Sequence, residues 1–206
     1  MDLLTVEREY FANGYRAVAG ADEAGRGPLA GPVVCAAVVM PLDEAKRVIG
    51  VNDSKKLSAK KRELLAEQIK RVALAYAVEE VDEGTIDKIN ILQATRLGMK
   101  RAIERLSPAP DFVLTDGNMT LDISYPQKSV VKGDALVYSI GAASILAKTY
   151  RDALMREYAE EFPEYGFERH AGYGTAEHIK AIREYGICRI HRRTFVAKFW
   201  DGRERI

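Results

Sequence analysis

Four carboxylates in this chain of 206 residues follow apolar, strand-like runs. Asp22 and Glu23 close the segment 17–22, Asp116 closes 112–115, and Asp134 follows 128–131 at the head of a helical stretch. Strand ends are where α/β proteins place chemistry. With those strands side by side, the carboxylates would meet on one patch, and hard oxygen ligands in that number suit magnesium or manganese rather than zinc. Each also has an ordinary explanation: Asp22-Glu23 as a solvated turn, Asp116-Gly117 as a hairpin turn, Asp134 as a helix N-cap. Two carboxylates ~4 Å apart repel by about 4 kcal/mol at an effective dielectric of ~20, so a fold that gathers four implies cations.

Other reactive residue types carry less. Cys35 sits in an apolar run and Cys188 stands alone, so neither belongs to a metal-ligand or redox spacing. His170, His178 and His191 are too scattered for a ligand motif on one helix and read as polar loop or helix-end residues. The formal net charge is only +1, but it is segregated: 46–71 holds nine Lys/Arg against three acids, and 79–87 holds five acids and no base. Such blocks permit a phosphate-contacting face without requiring one.

The elements that must position the carboxylates follow from periodicity. Segments 17–22 and 33–40 read as antiparallel strands joined through a Gly/Pro-punctuated loop. A helix over 60–72 follows an N-cap at Ser54 or Ser58, then come a strand over 73–81 and a helix over 85–106. Strands at 112–115 and 128–131 precede a long helix over 135–160, and a further helix spans 175–185. This order predicts an α/β fold, a mixed five-stranded sheet covered by helices, in a single domain 1–206 with a helical, basic extension over 178–206. No apolar run reaches the ~20 residues of a membrane span, and the N-terminus lacks the pattern of a secretion leader, so a cytoplasmic protein is expected.

The motifs then become specific. Gly20-Ala21-Asp22-Glu23-Ala24-Gly25-Arg26-Gly27-Pro28-Leu29-Ala30-Gly31-Pro32-Val33 resembles the opening signature of the type II RNase H family, in its bacterial form. Asp53-Ser54-Lys55-Lys56-Leu57, Thr115-Asp116-Gly117-Asn118, Lys132-Gly133-Asp134, Ala142-Ala143-Ser144-Ile145-Leu146-Ala147-Lys148, Arg151-Asp152, Gly172-Tyr173-Gly174-Thr175 and His191-Arg192-Arg193-Thr194-Phe195 follow in family order. The resemblance implies an RNase H-like fold in which Asp22, Glu23, Asp116 and Asp134 are catalytic and bind two divalent ions, Mg2+ or Mn2+. It further implies that Gly25, Arg26 and Gly27 read the ribose and that Tyr173 stacks on the sugar at an RNA-to-DNA junction. Ser54, Lys55, Lys56, Ser144 and Lys148 are candidate substrate contacts, the lysines toward phosphates. Gly141 stands where similar proteins more often have alanine, and should slightly loosen its helix.

The implied partner is an RNA:DNA hybrid or a DNA duplex containing ribonucleotides, cut on the 5′ side of the ribonucleotide to leave 3′-hydroxyl and 5′-phosphate ends. The expected roles are ribonucleotide excision repair and RNA primer removal. No motif in the tail identifies a protein partner. Three rivals fare worse. A type III RNase H carries an extra N-terminal module, and only 21 residues precede Asp22 here. A catalytically silent hybrid reader would be expected to have lost ligand carboxylates, and a nucleotide-dependent phosphotransferase would need a phosphate-binding glycine motif that does not occur.

Overall fold

The computed structural model describes residues 3–200 and 202–204. Residues 1–2, at the head of the stretch read for a leader, and 201 and 205–206, in the basic extension, lie outside it. Five strands, β1 (Val18–Ala24), β2 (Val33–Val39), β3 (Ala75–Val81), β4 (Phe112–Asp116) and β5 (Gln127–Val130), form one sheet in the order β3-β2-β1-β4-β5. β2 pairs antiparallel with β1 and β3, whereas β1–β4 and β4–β5 are parallel, so the sheet is mixed as expected. The parallel β4–β5 pair removes the hairpin explanation of Asp116-Gly117.

Side-chain alternation along β2 explains why the longest apolar run is a strand buried from end to end. Val33, Cys35, Ala37 and Val39 pack with Met99, Ala102 and Ile103 of α3 (Glu83–Glu104) on one face. Val34, Ala36 and Val38 pack on the other with Leu65 and Ile69 of α2 (Ala59–Val72) and with Ala142 and Leu146 of α5 (Tyr138–Glu161). Each fully buried valine contributes about 1.5–3 kcal/mol.

Local rules set the helix ends. Ser58, not Ser54, caps α2, its Oγ accepting the Lys61 N–H at 3.4 Å. α3 begins two residues earlier than the periodicity suggests, under an Asp82 cap that accepts the Thr85 N–H at 2.8 Å, and it is kinked at Asn90 (φ 65°, ψ 164°). The Asn90 side chain re-caps the broken turn by accepting the N–H groups of Leu92 and Gln93. The single helix expected over 135–160 is two, α4 (Gly133–Leu136) and α5, divided by the extended Val137. The start of α5 rides directly on β1: a Cβ at Gly20 would lie 2.3 Å from the Ser139 carbonyl carbon. Gly141, expected to loosen the helix, instead lets it pack closely, since a Cβ there would stand 2.9 Å from the Asp134 carbonyl oxygen.

An additional helix, α1 (Thr5–Ala12), has no clear apolar stripe in the sequence, since Val6, Tyr10 and Phe11 are interleaved with charges. Tertiary contacts hold it: Tyr10 packs on Phe112, and the buried Glu7 accepts the backbone and hydroxyl hydrogens of Ser139. At the other end α6 (Phe167–His170), α7 (Ala176–Tyr185) and α8 (Arg193–Val196) enclose a satellite core around Met155, Tyr165, Phe167 and Ile190. The three histidines, expected as polar loop or helix-end residues, are buried here beside a buried Cys188. Hydrogen-bonded imidazoles can be desolvated, which spacing alone does not reveal. Among the described residues no helix is long and apolar enough to cross a membrane.

Candidate active site

Register brings the first two acidic positions together. The last paired residues of β1 and β4 are Ala21 and Thr115, so Asp22 and Asp116 stand one step beyond, on neighbouring parallel strands. Asp22 and Glu23 are interior to β1, which continues to Ala24. Asp134 arrives differently. After β5, Lys132 adopts a left-handed conformation (φ 59°, ψ 36°) and turns the chain back. The N–H groups of Gly133 and Asp134 then reach Asp116 Oδ1 at 2.7 and 3.4 Å. Lys132, without a side-chain bond, occupies the N-cap, and Asp134 lies within the first turn of α4, which corrects its reading as a cap.

The carboxylates share one electrostatic neighbourhood. Burial, then the charges of Glu23 and Asp116, hold the Asp22 carboxyl well above its ordinary range, against the Ser144 hydroxyl and the Glu23 N–H, which bonds Asp22 Oδ1 at 2.7 Å. Glu23 is also raised by burial, opposed by the Arg26 guanidinium 3.4 Å from Oε1, and its Oε2 is buried with no hydrogen-bond partner. Asp134 is raised by burial, then by Asp116 and by Asp53. Among the described residues, no three His, Cys, Asp or Glu side chains are grouped tightly enough to hold a metal ion by themselves.

Beside this patch opens a cleft of 690 Å³ walled by Glu23, the Gly25-Arg26-Gly27 loop, the Ser54–Lys55 turn, α5 and Tyr173. Gly25 is required where it stands, because its φ is +95° and a Cβ would lie 2.1 Å from Arg151 Nε. Gly27 faces Tyr173, whose Cε1 would be 3.6 Å from a Cβ at that position. A second depression of 390 Å³ holds Asp116 and Asp134 together with Lys55, Lys56 and Lys132, so Lys55 borders both.

The remaining candidates divide. Ser54 and Ser144 are buried and hydrogen-bonded to each other at 2.9 Å, which gives Ser54 an internal partner that the sequence reading did not foresee. Lys148 is ion-paired to Asp152, which also accepts from Arg62 at 2.8 Å. Arg62 lines the cleft and was indistinguishable, in the sequence, from other cations of its basic helix.

Two further residues appear in the quoted motifs without a role. Arg151 and Arg192, 1% and 0% exposed, fasten the glycine loop by its carbonyls. Arg192 donates to Gly25 at 2.6 Å, Arg26 at 3.0 Å and Gly31 at 2.9 Å. Arg151 donates to Pro32 and Ala30, both at 3.0 Å, and to Ala171 at 2.9 Å. Burial, then Arg151, pull Arg192 down to about 9, still charged at neutral pH, while burial pushes the nearby Glu83 up to about 7.

Comparison with known proteins identifies the family. The family model described as Ribonuclease HII matches residues 19–199. A ribonuclease HII of Enterococcus faecalis is 54% identical over 189 residues, 92% of this chain and 73% of its own length. One from Endomicrobium trichonymphae is 53% identical over 195 residues, 94% of this chain and 92% of its own. Among solved structures, the ribonuclease H2 of Pyrococcus horikoshii superposes with a TM-score of 0.75 at 28% identity, over 89% of this chain and 97% of that one. With its mixed five-stranded sheet, its acidic patch and its glycine-walled cleft, the chain belongs to the ribonuclease HII family and is a hydrolase of the ribonuclease H type.

Proposed function

We propose that Asp22, Glu23, Asp116 and Asp134 hold two divalent cations and that the chain cuts the phosphodiester on the 5′ side of a ribonucleotide. The substrates are an RNA:DNA hybrid or a DNA duplex containing ribonucleotides, and the products end in 3′-hydroxyl and 5′-phosphate. The observation that carries this reading is the mutually repelling set of carboxylates, with Asp22 buried and Glu23 Oε2 orphaned, beside the glycine-lined cleft that Glu23 walls. Oxygen-only donors suit magnesium or manganese. Magnesium keeps several waters and takes one or two carboxylates plus substrate phosphate oxygens, so these side chains would supply only part of each ion's ligands. Ions held by these carboxylates would activate a water and stabilise the departing oxygen.

The protein's own residues do the rest. Gly25, Arg26 and Gly27 let backbone approach the sugar, where the 2′-hydroxyl, donor and acceptor at once, separates RNA from DNA. Tyr173, 46% exposed above Gly27, stacks on the sugar at the RNA-to-DNA junction. Lys55, Lys56 and Lys148 contact phosphates without sequence preference, and Ser144, tied to Ser54, supports the same wall. The C-terminal segment belongs to the same catalytic unit, since its Arg192 fastens the glycine loop, and ribonucleotide excision and primer removal are the roles proposed for that unit. Cut sites are mapped on a DNA duplex carrying one ribonucleotide, with magnesium, manganese or chelator, beside an all-DNA control. A single cut 5′ to the ribonucleotide, abolished by chelator, is expected. Equal cutting of both duplexes would make this a general nuclease, and cutting of neither would make it a hybrid reader.

A further inference from the structure

Behind Tyr173 lies a set of buried histidines that the proposed chemistry does not use. Their hydrogens can be assigned from partners that admit only one role. A carbonyl only accepts, so His178 Nδ1 carries the hydrogen of its 3.0 Å bond to the Tyr173 carbonyl. A backbone N–H only donates, so His191 Nδ1 accepts in its 2.9 Å bond from Cys188. The same nitrogen lies 3.3 Å from the Cys188 carbonyl, a longer contact that this tautomer leaves unbonded. A neutral imidazole holds one N–H, so His191 Nε2 carries it and donates to His178 Nε2 across 3.0 Å. One directed chain results, from the Cys188 N–H through His191 and His178 to the Tyr173 carbonyl. Burial keeps both rings neutral, drawing His178 down to about 4 and His191, with the added charge of His178, to about 3.

The segment this chain reaches needs an anchor. Ala171 and Gly172 are consecutive left-handed residues, at φ 48° and 81°. Gly172 N–H donates to His170 Nδ1 at 3.2 Å, and its carbonyl accepts from Leu29 of the glycine loop at 2.8 Å. Tyr173 thus emerges from a backbone clamped between the histidines and the loop that its ring overhangs. We propose that His178, oriented by His191, is a positioning residue that sets the Tyr173 ring over Gly27 and so tunes selectivity for an RNA-to-DNA junction. This inference rests on the reading that Tyr173 contacts the sugar there.

The test compares kcat/KM on a DNA duplex with one ribonucleotide to that on a uniform RNA:DNA hybrid, alongside thermal melting of each variant. Gln in place of His178 offers an amide near the Nε2 position and loses the donor to Tyr173. Asn offers an amide near Nδ1 and keeps that donor, while depriving His191 Nε2 of its acceptor. His178→Gln is expected to lower the junction-to-hybrid ratio about three- to tenfold, the range of one hydrogen bond. His178→Asn is expected to hold the ratio within about twofold while melting lower than the wild type. On a Tyr173→Ala background, His178→Gln should change the ratio no further. A wild-type ratio in His178→Gln while Tyr173→Ala lowers it would overturn the positioning role alone, as would ratios that simply track melting temperature. A wild-type ratio in Tyr173→Ala would remove the Tyr173 reading beneath it.

Discussion

The acidic end of the sheet and the segment behind Tyr173 both bury ionisable groups, and they satisfy them in opposite ways. Around Asp22, like charges adjoin, burial raises the carboxyls, and Glu23 Oε2 has no partner. Around His178, each ring nitrogen meets a group of the complementary kind, and Arg151 and Arg192 donate to carbonyl after carbonyl. A buried polar group left unsatisfied costs about 1–3 kcal/mol, so the orphaned Glu23 Oε2 is a cost that the fold by itself does not offset. The difference separates a patch where like charges adjoin and a buried carboxylate oxygen is left unpaired from a histidine chain whose ring nitrogens are all paired within the protein.

The sharpest way to break that comparison is at Asp116. Asp116→Asn keeps an acceptor for the Gly133 N–H but removes a charge, so cleavage should fall by more than about 100-fold. Its melting temperature in chelator should hold or rise, because a like charge beside Asp22 and Asp134 is gone. A variant that cleaves normally would take Asp116 out of the metal site, and one that melts early would make the patch structural.

The scaffold should respond the other way. Arg192→Met leaves the carbonyls of Gly25, Arg26 and Gly31 without its donors and should lower unfolding free energy by about 3 kcal/mol or more, read by denaturant melts. Unchanged stability would show that the guanidinium is not holding the loop. Between the two regions lies Gly27. The 3.6 Å to Tyr173 admits a methyl, but Gly27→Leu fills the slot under the ring and should cut cleavage at an embedded ribonucleotide about tenfold, with little change in melting. An unaltered rate would place sugar discrimination elsewhere.

A pH dependence tests the histidines of the same scaffold. His178 and His191 sit below the ordinary value of 6.5, at about 4 and about 3, so on acidification the unfolded chain takes up their protons first. Their stabilisation is complete above pH 6.5 and declines as pH falls toward 4. The stability gap between the wild type and a His178→Gln/His191→Gln double variant should therefore narrow by about 1.4 kcal/mol per pH unit for each histidine in that window. A gap independent of pH would mean that the rings are not held neutral by the fold.

Most of the fold was legible because it depends on local pattern. The alternation in β2 and the stripes of α2 and α3 announce themselves, and the carboxylates stand where apolar runs stop. The helix α1 was not legible, since what holds it is Phe112 and Ser139, about a hundred residues or more away in the chain. Nor was the break at Val137, where α5 must seat on Gly20. Arg151 and Arg192 stand within motifs but without a legible role, because burial against a loop 119 to 167 residues distant decides whether an arginine binds phosphate or backbone.

By itself the sequence determined the residue types at the acidic positions, the glycines between them, the sheet class and the family, all consequences of order and spacing along one chain. The tertiary structure decided which strand lies beside which, so that Asp22 meets Asp116, and how His178 and His191, scattered in the sequence, become one hydrogen-bonded line. The physical reason is that hydrogen bonds and desolvation act through space, over a few ångströms, between groups whose separation in sequence carries no record of their distance.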